Sequence, residues 1–219
     1  MIDDGLRIGP DGMARCWWPG TDPDYLAYHD REWGHPITDD RRLFEKLSLE
    51  AFQSGLSWLT ILRKRDNFRK AFAGFDPERV ARFGRSDVSR LLGDAGIVRH
   101  RGKVEATIHN AGRALELIAA EGSLAAYVWR FSPATGERPA RLSYEAVRAL
   151  AHTPASRALS GDLQRRGWKF VGPTTVYAFM QAAGVVNDHL DGCAFRAVVE
   201  EARLRNAGLD PSARGPVGP

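Results

Sequence analysis

Cysteine is nearly absent: Cys16 and Cys193 are the only two, and they stand at opposite ends of the 219-residue chain. That excludes a fold built on a disulfide framework and leaves two readings, inert buried thiols or metal ligands. Lysine is scarce as well, at 5 of the 31 basic residues, the other 26 being arginine. Arginine presents a planar fork suited to phosphate and to ring stacking, so a polyanionic partner fits the composition, and a high-GC coding sequence would produce the same bias. No apolar run approaches the ~18 residues of a membrane span. Met1 to Gly5 have neither the basic nor the apolar stretch of a secretory leader, so the expected compartment is a reducing cytoplasm. With 43% hydrophobic and 26% charged residues and a net charge of +4, the chain is neither disordered nor membrane-spanning, and one folded domain is expected.

Sustained period-two alternation is also missing, which argues against sheet. Helix signals are frequent. Asp22-Pro23 pairs a capping side chain with proline at the first helical position, Gly34 closes that segment, and Asp76-Pro77 repeats the device. Leu43, Phe44, Leu47 and Leu49, and then Val104, Ile108, Ala111, Leu115 and Ile118, recur at helical spacing. Further helices are expected around 123–131, 143–152, 156–166, 173–183 and 192–206. The prediction is an all-α bundle over 13–205, with a disordered N-terminal extension over 1–12 and a flexible Gly/Pro-rich tail over 206–219.

Three groups of residues carry chemistry. Cys16 and His29 lie near the N-terminus, and His189 and Cys193 lie four apart near the C-terminus. A Cys2His2 set fills every position of a tetrahedral zinc and leaves none open for water, so such a site would be structural. It would close a loop of about 180 residues, worth on the order of 4 to 5 kcal/mol of chain entropy. Two satisfied core histidines and two inert thiols remain the plainer reading of the spacing. The second group is Arg165-Arg166-Gly167-Trp168-Lys169-Phe170-Val171-Gly172-Pro173-Thr174-Thr175, a helix end, a glycine-bearing turn and a new helix whose free N–H groups suit a DNA phosphate. It is similar to the helix-hairpin-helix of DNA repair glycosylases, and equally compatible with a plain corner between helices. Another basic run, Arg99-His100-Arg101-Gly102-Lys103, is either a grip on a nucleic-acid backbone or a solvated helix end.

The third group is aromatic: Trp17, Trp18, Tyr25, Tyr28, Trp33 and Trp58, with Glu50 in the apolar stretch between Leu49 and Ala51. Core packing is the commoner fate of such a stripe. The functional alternative is a pocket that stacks a flat, extruded base, with Glu50 buried beside it and in need of a partner.

Taken together and in order, Met13 to Trp18, Asp22 to Gly34, Leu49-Glu50 to Trp58, Asp94 to Lys103 and Lys169 to His189 resemble the 3-methyladenine DNA glycosylase I family, over about residues 13 to 193. The resemblance implies an all-α helix-hairpin-helix glycosylase fold and a zinc ion held by Cys16, His29, His189 and Cys193. It implies a base pocket of Glu50, Tyr25, Tyr28, Trp58, Trp18 and Trp33, with Glu50 recognising the flipped base. Gly55, Leu56, Lys169, Gly172, Thr174 and Thr175 are the expected DNA contacts, with Leu56 as a wedge. Thr174 stands where strand-cleaving relatives keep a Schiff-base lysine, which implies base excision without strand cleavage. Asn187 stands where the wider superfamily has an aspartate, so no catalytic aspartate is assigned. Ala51-Phe52 depart from the small and polar pair associated with this stretch. The expected partners are alkylated double-stranded DNA and free 3-methyladenine as product, with no membrane, and the chain is expected to be a monomer. The competing class is a non-catalytic helix-hairpin-helix module that binds DNA structure; a zinc hydrolase ranks last because a closed site offers no open coordination position.

Overall fold

The computed structural model describes residues 4–134, 137–139 and 141–206. Eleven α-helices are present among them: α1 (Pro23–Arg31), α2 (Asp40–Gln53), α3 (Trp58–Ala71), α4 (Pro77–Val80), α5 (Arg85–Gly93), α6 (Arg101–Glu121), α7 (Leu124–Trp129), α8 (Tyr144–Arg148), α9 (Pro154–Arg165), α10 (Pro173–Ala182) and α11 (Arg196–Asn206). The fold is the expected all-α one. None of these helices is long and apolar enough to cross a membrane.

Their starts follow side-chain chemistry. Asp22, Asp39, Ser57, Ser123 and Thr153 each accept a backbone N–H from the first turn that follows, satisfying donors that a helix N-terminus leaves unpaired. Helix α2 is the centre of the bundle, packed by α3, α6, α7 and α10. Every residue from Leu43 to Phe52 except Glu45 is buried. On α6 the buried stripe is Val104, Thr107, Ala111, Ala114 and Leu117, rotated slightly from the one expected, with Ile108, Leu115 and Ile118 half-buried at its flank.

Two expectations are corrected. Residues 1–12 are not wholly without structure: Leu6–Ile8 forms a strand, β1, paired antiparallel with β2 (Ala14–Cys16) in the register Leu6↔Cys16 and Ile8↔Ala14. Three paired residues are too few for an alternating pattern to be visible in sequence. The hairpin is held at its far side, where the Ala194 N–H donates to the Ala14 carbonyl. The second correction concerns the basic run before α6. Lys103 is buried and its Nζ donates to the carbonyls of Phe52 (2.9 Å) and Ser54 (2.6 Å), so it closes the C-terminus of α2 and is not a surface grip. His100 caps α6 by accepting from the Lys103 N–H, and Arg99 remains exposed. Of the expected tail over 206–219, all but Asn206 lies outside the described residues.

Candidate active site

Tyr25, Tyr28 and His29 sit three and four apart on α1, so one helix feeds two adjoining structures, a cleft and a cluster of metal-ligating side chains. The cleft, about 270 Å³, is lined by Trp17, Trp18, Tyr25, Tyr28, Trp33, Glu50, Gln53, Trp58, Val147, Arg148, Ala178, Gln181 and Asp188. That is just below the ~300–1,000 Å³ of sites for drug-sized ligands and is the scale of a single nucleobase. Trp18 is the hinge of the aromatic wall, with ring centroids 4.9 Å from Tyr25, 5.1 Å from Trp33 and 6.2 Å from Tyr28, all edge to face. Tyr28 leans on Trp58 at 5.3 Å.

The six residues expected to form the base pocket therefore meet around one cavity. Phe52 does not join them. It is fully buried and packs on Phe68 and Phe72, so the Ala51-Phe52 departure belongs to the core and not to the pocket rim.

Two carboxylates face the cleft. Glu50 is buried and makes no hydrogen bond among the described residues; burial pushes its carboxyl up to about 7, with Lys46 one turn earlier pulling the other way. Asp188, which sequence reasoning left without a role, is also buried, but it accepts from the Tyr177 hydroxyl (2.5 Å) and Gln181 Nε2 (2.8 Å) and forms an ion pair with Arg138. Asn187 faces elsewhere: its Nδ2 donates to the Arg196 carbonyl and Glu200, and its Oδ1 accepts from the His189 N–H.

Behind the cleft, Cys16, His29, His189 and Cys193 come together with one ligand atom of each within 4.8 Å of every other, all four buried. Cys193 Sγ lies 3.4 Å from His189 Nδ1 and 3.7 Å from His29 Nε2, and Cys16 Sγ lies 3.9 Å from His189 Nδ1. The outward nitrogens are already engaged. His29 Nδ1 meets the Asp30 carboxylate at 2.8 Å, and His189 Nε2 meets the Trp33 carbonyl at 3.1 Å. Both partners only accept, so they set the ring protons outward and turn the lone pairs of Nε2 and Nδ1 onto the two sulfurs, as in metal-binding histidines. Arg15 holds Asp30 in turn. The two thiols share their environment unequally: Cys16 beside it holds Cys193 far below the usual thiol range, and Cys16 itself is driven far up. Two thiols and two imidazoles whose free nitrogens turn inward are a donor set that fits a metal ion. The rings of Trp18 and Trp33 rest against His29 and His189, so cluster and cleft share a wall.

The hairpin between α9 and α10 stands next to the cleft, since Ala178 and Gln181 of α10 line it. Asn110 of α6 brackets the turn, accepting from the Lys169 N–H at 2.9 Å and donating to its carbonyl at 2.8 Å, while Ser160 donates to the Val171 carbonyl. Gly167 takes φ +83° and Phe170 takes φ +57°, which turns the Phe170 ring out to 40% exposure. Thr174 is exposed at the start of α10, and the Thr175 hydroxyl reaches that of Ser54 at 3.5 Å. That contact joins the hairpin to the loop of Gly55 and Leu56. In this loop Gly55 has φ +82°, the backbone is clipped by Gln53 to both the N–H and the carbonyl of Leu56, and the Leu56 side chain is 43% exposed. Leu56, Lys169, Phe170 and Thr174 are all exposed, on the two loops that this contact joins and at the start of α10.

A hairpin between two helices standing beside a base-sized aromatic cleft is the construction of a DNA glycosylase. The chain belongs to the methyladenine glycosylase family, whose model matches residues 18–197. It is 48% identical over 182 residues to DNA-3-methyladenine glycosylase 1 of Escherichia coli, covering 83% of this chain and 96% of that one. Among solved structures it is similar to a 3-methyladenine DNA glycosylase I at TM-score 0.77 and 49% identity, covering 82% of this chain and 98% of that one. The Staphylococcus aureus 3-methyladenine DNA glycosylase I, solved to explain 3-methyladenine recognition, matches at TM-score 0.75 and 38% identity, over 80% of this chain and 93% of that one.

Proposed function

We propose that this chain excises 3-methyladenine from alkylated double-stranded DNA by hydrolysing the N-glycosidic bond, leaving an abasic site in an intact strand. The observation that carries this reading is Glu50, a buried carboxylate without a hydrogen-bond donor in a cleft of aromatic faces, which is a costly arrangement unless a ligand supplies the donors. A flipped 3-methyladenine does so. Its exocyclic amine and ring edge meet the carboxylate, and its positive charge stacks on Trp and Tyr faces.

Methylation at N3 has already made the base a good leaving group, so the bond breaks toward an oxocarbenium-like sugar with little acid catalysis. The task left to the protein is extrusion, stacking and discrimination. Leu56 enters the gap left by the nucleotide, as apolar wedges do in DNA-kinking proteins. The first-turn N–H groups of α10 at Thr174 and Thr175, with Gly172 and Lys169, take the backbone phosphate. With a threonine at 174 there is no amine for a Schiff base and no strand cleavage.

Cys16, His29, His189 and Cys193 hold one zinc ion, which acts as a structural clip. Thiolate and imidazole donors at ~2.3 and ~2.0 Å from a tetrahedral zinc lie about 3.6 Å apart, in keeping with the separations above. The protein works as a monomer in the cytoplasm.

The test is base release from methylated duplex DNA, resolving 3-methyladenine from 7-methylguanine by chromatography beside a strand-nicking assay. Release of 3-methyladenine with unbroken strands is the expected result. DNA binding without release by zinc-replete protein overturns it in favour of a structure-binding module. Elemental analysis is expected to give one zinc per folded chain.

A further inference from the structure

Behind the cleft, on the far side of Tyr28 and Trp58, lies a lysine that takes no part in the recognition described above. Lys46 is buried, its Nζ donates to the Tyr28 hydroxyl at 3.5 Å, and it stands 4.9 Å from the Tyr28 ring centroid and 5.2 Å from that of Trp58. It is one helical turn before Glu50 on α2. The charges packed around it pair off. On α1 and α3, Glu32 binds Arg65; on α2 and α3, Glu45 binds Arg69, which also reaches Asp66. Tyr25 and Tyr28 face the pair from α1, Lys103 of α6 is committed to the end of α2, and across the cleft Asp188 is matched by Arg138. Arg148 of α8 reaches the cleft from its exposed rim, its guanidinium on the hydroxyl and ring of Tyr144. With these groups committed, the buried cation and anion left are Lys46 and Glu50.

We propose that Lys46 is a positioning residue for base recognition: packed behind the aromatic wall, its ammonium is the counter-ion that keeps Glu50 ionised inside the cleft and fixes the Tyr28 phenol that lines it. The proposal rests on the reading that ionised Glu50 receives the flipped base. Burial opposes charge on both groups, driving the carboxyl up to about 7 and the ammonium down to about 8, while each draws the other back toward its charged form. Near neutrality the two charges therefore coexist, but narrowly. Without the lysine, nothing on α1, α2 or α3 is free to oppose the burial of Glu50, and the carboxyl holds its proton to higher pH. The Tyr28 hydroxyl, which accepts from Lys46, is at the same time left free to donate into the cleft.

The experiment is the pH profile of 3-methyladenine release from methylated duplex DNA for the wild type, Lys46→Met, Lys46→Arg and Glu50→Gln, corrected for spontaneous depurination. Methionine keeps the unbranched chain without the charge, and arginine keeps the charge. The wild type is expected to lose activity on the acid side of about pH 7, Lys46→Met to lose it about one unit or more higher, and Lys46→Arg to stay with the wild type. A 13C titration of the Glu50 carboxyl, assigned by its disappearance in Glu50→Gln, reads the same shift without turnover.

A Lys46→Met protein whose acid limb and carboxyl titration coincide with those of the wild type overturns the proposal, however slow the variant is. A wild type that releases no base, or a Glu50→Gln variant with an unaltered profile, overturns the reading of Glu50, and the carboxyl titration still decides the role of Lys46. Should Lys46→Met not fold, Lys46→Gln is judged by the same two curves.

Discussion

The cleft has two acidic walls built on opposite principles. On the α2 side Glu50 is buried with no hydrogen bond and a distant, cationic neighbour behind an aromatic screen. On the α10 side Asp188 is equally buried, but one of its oxygens is held by a phenol and an amide and the other faces a guanidinium. Recognition and scaffolding are thereby divided between two residues that carry the same functional group. A carboxylate already held by two donors and a paired cation has less to offer a ligand than one that accepts no hydrogen bond at all.

The contrast can be broken at either wall. Asp188→Asn strands the Arg138 guanidinium, so it should lower folding stability by about 3–5 kcal/mol, measured by denaturant unfolding. Glu50→Gln leaves the Lys46 ammonium without its counter-charge, but that amine can shed its proton, so stability should fall less than for Asp188→Asn, while 3-methyladenine release falls by one to two orders of magnitude, matching about 1.5–3 kcal/mol for a charge-assisted hydrogen bond. If both variants lost stability equally and activity equally, the two walls would not differ in kind.

Leu56→Ala lies outside both walls and should reduce turnover on duplex DNA by roughly tenfold, about 1.4 kcal/mol and so a fraction of the few kcal/mol that unstacking a step costs, without altering affinity for the free base. The smallest effect is a slope. The folded chain keeps the Glu50 proton up to about 7, whereas the unfolded chain releases it near 4.5, so the native state binds more protons between those values. Stability contributed at Glu50 therefore declines as pH rises through that window, and Glu50→Gln should remove that component when its stability curve is subtracted from the wild type.

How much of this could be read from residues alone follows from what each residue type does when unpaired. Cysteine and histidine are few, so four of them at two ends of the chain stand out, and the structure gathers Cys16, His29, His189 and Cys193. Aromatic residues clustered near one carboxylate are likewise visible, and the aromatic residues expected in the pocket share one cavity with Glu50. Lys46 was not visible. Helix α2 is enclosed on nearly all sides, so its lysine falls within a continuous buried run instead of on a polar stripe, and a lone lysine on an amphipathic-looking helix reads as solvent-facing. Asp188 is masked in the sequence by its neighbour, because position 187 is where the superfamily carboxylate is expected and Asn187 stands there. The inward turn of Lys103 could not be inferred either, because a cation next to two arginines and a histidine looks like part of their patch. Only the carbonyls left over at the end of α2 explain it.

The aromatic wall contributed by residues 18 to 33 leans on a histidine at 189 and shares its support with a cysteine at 193. Chain growth at about 5–20 residues per second separates those two segments by on the order of 10 s. During that interval Trp18 and Trp33 have one another and the tyrosines of α1 but not the histidine behind them, and a sticky aromatic segment waits on the growing chain. Completion of the recognition site thus waits for His189, and a chain truncated before that residue lacks the support that shapes the cleft.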